Sequence, residues 1–355
     1  MNQYNDLQVF RFSPDSSAAA LEATLTRLLV PGNIMDSCLS SHCRHLQERF
    51  ALFCSTCPSP QWHKGLIITP EIRCQTEMYL PVKEIRAAFR YLLFSSFRYS
   101  PFLPSVLIFT ALSWADALER ILLSVNSINP SRIIAEVAED QLLRREFLAA
   151  LFVPQRYGGV LDRYPLQKRF IQEWFSGSGK RGISVLDAAC GSGEGVYELA
   201  TMVAEAGFLP ESTVVHGCTI EPLELAAAAH GWFPLDPGRA LSFKGMIEAA
   251  SKRGCPETIL FFRGDICGPV ENSDLYDVVI CNGLLGGPLL HEHVHLEAAV
   301  KGLVLRVKKG GILLAADRFH GGWRRVIPLD GLKLLFVKHG IRLVALPEGV
   351  GGIRT

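Results

Sequence analysis

From about residue 160 onward the chain alternates short apolar runs with stretches of helical spacing, and this alternation constrains the fold more than any other feature. Pro165 to Phe175 reads as a helix, closed by Ser176-Gly177-Ser178-Gly179. Strands are predicted over Ile183–Leu186, Val214–Ile220, Ile259–Phe262, Val278–Cys281, Ile312–Ala316 and Ile341–Leu346. Helices over Glu194–Ala206, Pro222–His230, Glu297–Val307 and Leu329–Lys338 fall between them. Strands separated by helices call for a parallel sheet covered on both faces. The expected fold is therefore α/β, a doubly wound, Rossmann-like and mostly parallel sheet. Ligands of such sheets bind outside the carboxyl ends of the strands, near the point where strand order reverses. The residues just after each strand are the ones to read for chemistry.

The first 150 or so residues read differently, as a mainly helical domain. Apolar residues at helical spacing predict helices over Ala18–Leu29, Lys83–Phe94, Ser113–Leu123 and Ser131–Phe152, with irregular stretches rich in Cys, Pro and His between them. A length of 355 residues fits two ordinary domains. The expected division is 1–150, helical and suited to substrate selection or to covering a site, and 151–355, which carries the sheet.

Charge removes some partners. Thirty-six basic residues against 35 acidic leave a net +1, so no global field recruits nucleic acid or an acidic membrane. The start, Met1 to Asp6, lacks the basic and apolar regions of a signal peptide. The longest uncharged run, between Arg98 and Asp116, contains Pro101 and Pro104 and reads as a buried segment. A cytoplasmic, reduced protein is expected, in which the ten cysteines act as small hydrophobes or metal ligands and not as disulfides.

The most informative turn follows the first strand, at Val185-Leu186-Asp187-Ala188-Ala189-Cys190-Gly191-Ser192-Gly193-Glu194-Gly195. Small residues let the backbone turn tightly and let a ligand approach it. A helix beginning near Glu194 aims its free N–H groups at that ligand. A nicotinamide fingerprint needs a third glycine three places after Gly193, and Val196 stands there.

Asp187-x-x-x-Gly191-x-Gly193 resembles the first motif of class I S-adenosylmethionine-dependent methyltransferases. Four later stretches resemble the other motifs in order: His216 to Pro222, Phe262 to Ile266, Tyr276 to Leu285 and Val307 to Leu313. The resemblance spans roughly residues 150 to 350. It implies S-adenosyl-L-methionine as cofactor, with Asp187, Ala189, Gly191 and Gly193 at its methionine end. It further implies Thr219 or Glu221 at the ribose, Gly264, Asp265 and Ile266 at the adenine, and Asn282 beside the methyl donor. Gly193 to Ala200, Ala229 to Leu235 and Cys281-Asn282 are similar to the chemoreceptor glutamate methyltransferases (the CheR-like group).

Two positions depart from the pattern. Ala189 replaces the usual first glycine, and Thr219 stands in the usual place of the ribose acid, with Glu221 two residues later. Candidates for chemistry are Asn282 and His291, and Arg156, followed by Tyr157-Gly158-Gly159 in a segment suited to closing over the cofactor. Asp277 precedes its strand and reads as structural. The run His291-x-His293-x-His295 and the cluster Cys38, Cys43, Cys54, Cys57 and Cys74 with His42, His45 and His63 invite a metal reading, yet no second Cys-x-x-Cys completes a zinc pattern, so no metal site is assigned.

The expected function is methyl transfer by in-line displacement to a small molecule or a protein carboxylate. Two other readings stay open: a nicotinamide-dependent oxidoreductase, and a non-catalytic methyltransferase-like module for interaction or metal binding. Oligomeric state is left open, a homodimer being one option.

Overall fold

A computed structural model describes residues 10–56, 67–121, 127–153, 162–252, 258–268, 275–317 and 327–355. The chain divides into two compact units: residues 22–154 with 233–237, and residues 1–21 with 155–232 and 238–355. A strand β1 (Arg11–Phe12) opens the chain. Helices follow as α1 (Ala18–Leu28), α2 (Ser37–Thr56), α3 (Pro70–Tyr79), α4 (Val82–Ser96), α5 (Leu107–Thr110), α6 (Trp114–Ile121), α7 (Pro130–Glu139) and α8 (Gln141–Phe152).

Several of these differ from expectation, α3 and α5 among them, which fall in stretches expected to be irregular. The stretch around Cys38 to Cys54 is the regular helix α2, because Leu39, Leu46 and Phe53 recur every seven residues and are buried on one face. The single helix expected over Ser131–Phe152 is two helices. Asp140 breaks it with an extended backbone, and its carboxylate accepts from the Leu142 and Leu143 N–H groups to start α8. The mainly aliphatic core of this helical unit holds an aromatic stack, Phe89 lying on both Trp114 and Phe147 at 5.8 and 6.0 Å.

The second unit holds α9 (Pro165–Gly177), β2 (Ser184–Asp187), α10 (Glu194–Glu205), β3 (Val214–Thr219), α11 (Pro222–His230), α12 (Pro237–Lys252), β4 (Ile259–Arg263) and β5 (Tyr276–Ile280). It closes with α13 (His293–Arg306), β6 (Val307–Ala315), α14 (Leu329–Lys338), β7 (Ile341–Leu343) and β8 (Val350–Arg354). The strands form one eight-stranded sheet in the order β1-β4-β3-β2-β5-β6-β8-β7. Pairs from β4 through β6 are parallel. Strand β8 runs antiparallel between β6 and β7, and β1 antiparallel to β4. The α/β, doubly wound and mostly parallel sheet is thus present. Residues 10–12 belong with it and not with the helical segment, since Phe10 and Phe12 are buried and β1 extends the sheet edge.

Strand order reverses between β2 and β5, so the crevice of such a sheet lies beyond Asp187 and Ile280. A dinucleotide-binding sheet continues past that point with parallel strands only, in the order 3-2-1-4-5-6. The antiparallel insertion of β8 departs from it. Among the described residues no helix is long and apolar enough to cross a membrane.

Candidate active site

The loop between β2 and α10 needs glycine for two separate reasons. Gly191 and Gly193 have φ of +50° and +94°, where a side chain is strained. At Gly193 a Cβ would also lie 2.7 Å from the Ala228 Cβ. Gly193 therefore starts α10 tight against α11, and its own lack of a side chain leaves the first turn without a side-chain cap. Gly195 has a different role: a Cβ there would sit 2.7 Å from Oδ2 of Asp187. That bare backbone fixes where the carboxylate can lie.

Asp187 is buried at the end of β2, and its Oδ1 accepts from the Ala189 N–H at 3.2 Å. Burial pushes its carboxyl up to about 7; the Ala189 hydrogen bond and the charge of Arg163 pull the other way. It borders a cleft of about 680 Å³, the open solvent at its mouth included, formed within the sheet-bearing unit by α9, the residues before it, the β2 loop, α10 and the end of β5. Four carboxylates (Asp162, Asp187, Glu194, Glu198) and two cations (Arg163, Lys168) line it. The surplus of negative charge suits a cationic ligand, and Arg163 supplies a partner for one carboxylate on it.

Glu194 is held from below. Arg239 on α12 donates to its Oε1 from Nε at 2.8 Å and from its terminal nitrogen, and Ser192 donates to Oε2 at 3.0 Å. Burial raises the Glu194 carboxyl and Arg239 opposes the rise. The floor of the loop is thus pinned by a buried ion pair that the sequence reading did not contain.

Asn282 closes the cleft at the end of β5. Its Oδ1 accepts from the Ala316 N–H at 2.8 Å and from Gln167 Nε2 at 3.1 Å, while its Nδ2 donates to Gln167 Oε1 at 2.7 Å. Gln167, on α9, is 2% exposed. The pair clasps α9 to the ends of β5 and β6, so Asn282 is a positioning residue in this arrangement.

The remaining candidates lie elsewhere. At the end of β3, Thr219 donates to Glu224 Oε2 at 2.7 Å. Glu224 sits in the first turn of α11 and its carboxyl is pushed up to about 8, chiefly by burial, against the Thr219 hydrogen bond. Glu221 is buried and caps the same helix, its Oε1 accepting from Leu223 N–H at 3.1 Å. The acid turned toward the strand end is therefore Glu224, which sequence reasoning missed. The signal was available, since a first-turn helix side chain points back over the preceding residues. At the end of β4, Gly264 donates to the Thr219 carbonyl at 3.0 Å, and a Cβ there would meet Cys218 Sγ at 2.6 Å. Asp265 accepts from the Cys267 N–H at 2.8 Å, and Ile266 is buried in the core. These residues follow β3, the neighbour of β2, and β4 beyond it, and do not line the cleft around Asp187.

His291 bonds the Pro288 carbonyl through Nδ1 at 3.0 Å and does not line the cleft either. His293 and His295 lie on α13, paired with Glu297 and Glu292. Arg156 falls outside the described residues; seven positions on, Arg163 is the arginine that faces Asp187. Asp277 sits at the opposite end of the sheet. Although burial opposes it, hydrogen bonds from Lys180, Lys308 and Ser184 hold its carboxyl well below the usual range.

Cys190, Cys218 and Cys281 are buried free thiols, Cys218 being pushed up to about 12 by burial. They act as small packing residues around the glycine turns. Cys57, His63 and Cys255 fall outside the described residues. Among the described residues no three His, Cys, Asp or Glu side chains are grouped to hold a metal.

No family model and no curated protein matches the chain. Solved structures do resemble it. The [4+2]-cyclase SpnF has 16% identity and a TM-score of 0.34, over 54% of this chain and 62% of its own. CalS10 from Micromonospora echinaspora, an amino pentose methyltransferase solved with S-adenosylmethionine bound, has 19% identity and a TM-score of 0.29, over 43% and 50%. A TehB-like S-adenosylmethionine-dependent methyltransferase from Corynebacterium glutamicum has 14% identity and a TM-score of 0.32, over 61% and 97%. The chain spans 62% and 50% of the length of the first two.

Proposed function

We propose that the chain is an S-adenosylmethionine-dependent methyltransferase. One observation carries the proposal: a net acidic cleft at the reversal point of the sheet, with the buried Asp187 at its base and one arginine facing it. An amino-acid ligand that also bears a sulfonium offers two positive groups and one carboxylate, the complement of that lining. The bare backbone at Gly195 lets the Asp187 carboxylate rest at that position.

The cofactor supplies an electrophilic methyl group, transferred by in-line displacement. The chain's own task is then alignment and exclusion of water. Asp187 would hold the amino group and Arg163 the carboxylate. Glu194, fixed by Arg239 and Ser192, would keep the turn rigid under the ligand. Thr219 and Glu224 would take the ribose, and Asp265 the adenine, from the ends of β3 and β4. Gln167 and Asn282 would set the wall between the donor and the acceptor. A small molecule or a protein carboxylate remains the acceptor class, the latter being what the likeness to chemoreceptor glutamate methyltransferases implies. A cytoplasmic, reducing setting belongs to the same reading, since the buried thiols would stay free.

A nicotinamide-dependent oxidoreductase fits less well, because Val196 replaces the third glycine and β8 interrupts the parallel order. Calorimetric titration with S-adenosylhomocysteine tests the proposal. Micromolar binding is expected, with loss of at least about a hundredfold in Asp187→Ala, consistent with ~2.7 kcal/mol for a buried charged contact. Absence of binding at millimolar ligand refutes it.

A further inference from the structure

The turn that leads into α9 is tied across the acidic cleft by a residue of α10. Glu194, Gly195, Glu198, Leu199 and Met202 line the cleft from one face of that helix. Glu194 and Gly195 serve the β2 loop, whereas Glu198 reaches over to the turn. Its Oε1 accepts from the Asp162 N–H at 2.5 Å and lies 3.8 Å from the Lys168 ammonium. That ammonium also lies 3.4 Å from Asp162 Oδ1. Burial raises the Glu198 carboxyl, and the Asp162 N–H and Lys168 oppose the rise.

Asp162 has φ of +54°, and among the described residues no other non-glycine occupies the left-handed region. Such a backbone persists only where the surroundings hold it, and strain of this kind collects at ligand sites. On the other side of Arg163, Tyr164 is buried and its carbonyl accepts from the Lys168 N–H at 2.9 Å, which starts α9. Arg163 thus leaves the chain between two fixed residues. Its guanidinium lies 5.5 Å from the centre of the Tyr164 ring and passes the end of β5 at Gly283, where a Cβ would come within 3.3 Å of Nη2. From there its charge pulls the Asp187 carboxyl down, against the effect of burial.

We propose that Glu198 is a positioning residue for Arg163: by holding the Asp162 N–H it fixes the backbone from which the guanidinium reaches the ends of β2 and β5. A ligand carboxylate as the target of that guanidinium rests on the methyltransferase reading; the placement of Arg163 against Asp187 does not. Without Glu198 the Asp162 N–H loses its acceptor and nothing offsets the left-handed backbone, so the turn relaxes and carries Arg163 with it. Gln167 and Asn282 still hold α9 at its first turn, which confines the change to the residues ahead of the helix.

In the full chain, Glu198→Met keeps the side-chain length and removes the acceptor, whereas Glu198→Gln keeps an acceptor for the Asp162 N–H. Glu198→Ala takes the place of Glu198→Met should the latter not fold. Without ligand, carbon NMR of the Asp187 carboxyl should show it titrating at a pH at least ~0.5 higher in Glu198→Met and unmoved in Glu198→Gln. The sign is diagnostic, because removing a nearby negative charge would by itself lower that carboxyl. Calorimetry at about pH 8, where Asp187 is mostly ionised, should show S-adenosylhomocysteine weakened about fivefold or more in Glu198→Met. Decarboxylated S-adenosylhomocysteine should stay within about twofold of its wild-type affinity, since it lacks the group that Arg163 meets. In a chain that already carries Arg163→Gln, adding Glu198→Met should change neither reading. An Asp187 titration unmoved or lowered in Glu198→Met, equal losses for the two ligands, a loss as large in Glu198→Gln, or effects that persist without Arg163 each overturns the proposal. A wild-type chain that binds neither ligand refutes the methyltransferase reading, and the Asp187 titration then decides the positioning role alone.

Discussion

Cofactor affinity should rise with pH through neutrality, and Asp187 should be the cause. Its carboxyl lies at about 7, mainly through burial, with Glu194 adding to the rise and Arg163 and the Ala189 amide opposing it. Because that value exceeds the unfolded 3.8, the group contributes stability that is fully present below about 3.8 and is lost as pH climbs through about 7. A ligand amine binds the ionised form. With a carboxyl at about 7, roughly a tenth of the unliganded chains carry the charge at pH 6 and roughly nine-tenths at pH 8, so the affinity should grow about tenfold, or ~1.4 kcal/mol. Titration calorimetry with S-adenosylhomocysteine at both pH values, in buffers of different ionisation enthalpy, would show the rise and the release of a proton at pH 6. Asp187→Asn keeps an acceptor for the Ala189 N–H and removes the titration. The ratio of wild-type to variant affinity cancels any ionisation of the ligand itself. If that ratio is the same at pH 6 and pH 8, the buried carboxyl is not what the ligand amine meets.

Three further outcomes follow from the same geometry. Gly195→Ala should displace the Asp187 carboxylate, since the added Cβ would fall 2.7 Å from Oδ2, and should weaken cofactor affinity about tenfold or more while calorimetric melting shows the fold intact; an affinity within twofold of wild type would refute it. Glu224→Gln should lower affinity for S-adenosylhomocysteine about tenfold, whereas Glu221→Gln should mainly cost helix-capping stability of ~0.5–1 kcal/mol, so matched titrations and urea melts of the two variants separate the roles. Arg144→Met should destabilise the helical unit by ~2–4 kcal/mol, because Arg144 is 1% exposed and donates to the carbonyls of Val30, Gly32, Val137 and Ala138, of which, among the described residues, Ala138 alone keeps a second donor, the Ile34 N–H. Faster amide exchange over residues 130–152 would report that loss, and unchanged exchange would count against it.

The parallel centre of the sheet was legible because buried strands and amphipathic helices differ in period, and the Asp187 turn because a strand end, a glycine pair and a helix start coincide in a few residues. What was not legible has local causes. Strand β8 contains Gly351 and Gly352, where a Cβ would meet the Leu313 and Arg342 carbonyls at 2.5 and 2.2 Å; close strand approach demands glycine, and glycine reads as a loop. Helix α12 lacks a clean apolar stripe, burying Phe243, Ile247 and Ala250 among many polar residues. Helix α2 carries its apolar positions seven apart, which the cysteines and histidines between them obscured. At the site, Gln167 meets Asn282 across 115 residues and Arg239 meets Glu194 across 45. No local pattern announces such pairs.

The threonine at the end of β3 illustrates how a departure from a motif can be misread. Taken alone, Thr219 in the place of an acid argues for a cofactor site in decay, and with the N-terminal cysteine cluster it favours a non-catalytic module. The structure places a carboxylate at that strand end by another route. Pro222 begins α11 directly after Glu221, and a glutamate in the first turn of a helix leans toward its N-terminus, here onto the Thr219 hydroxyl. Threonine is then the residue that fits: an aspartate at 219 would set a second carboxylate against the buried Glu224, which is already pushed up to about 8 by its burial. A hydroxyl donates to that carboxylate and holds it in line. The substitution and the glutamate five residues later therefore make one unit, and Thr219→Asp should lower stability and affinity together in wild type while being tolerated better in a chain that also carries Glu224→Gln. Additive effects of the two substitutions, measured by urea melts and by titration with S-adenosylhomocysteine, would show that the pair does not act as one.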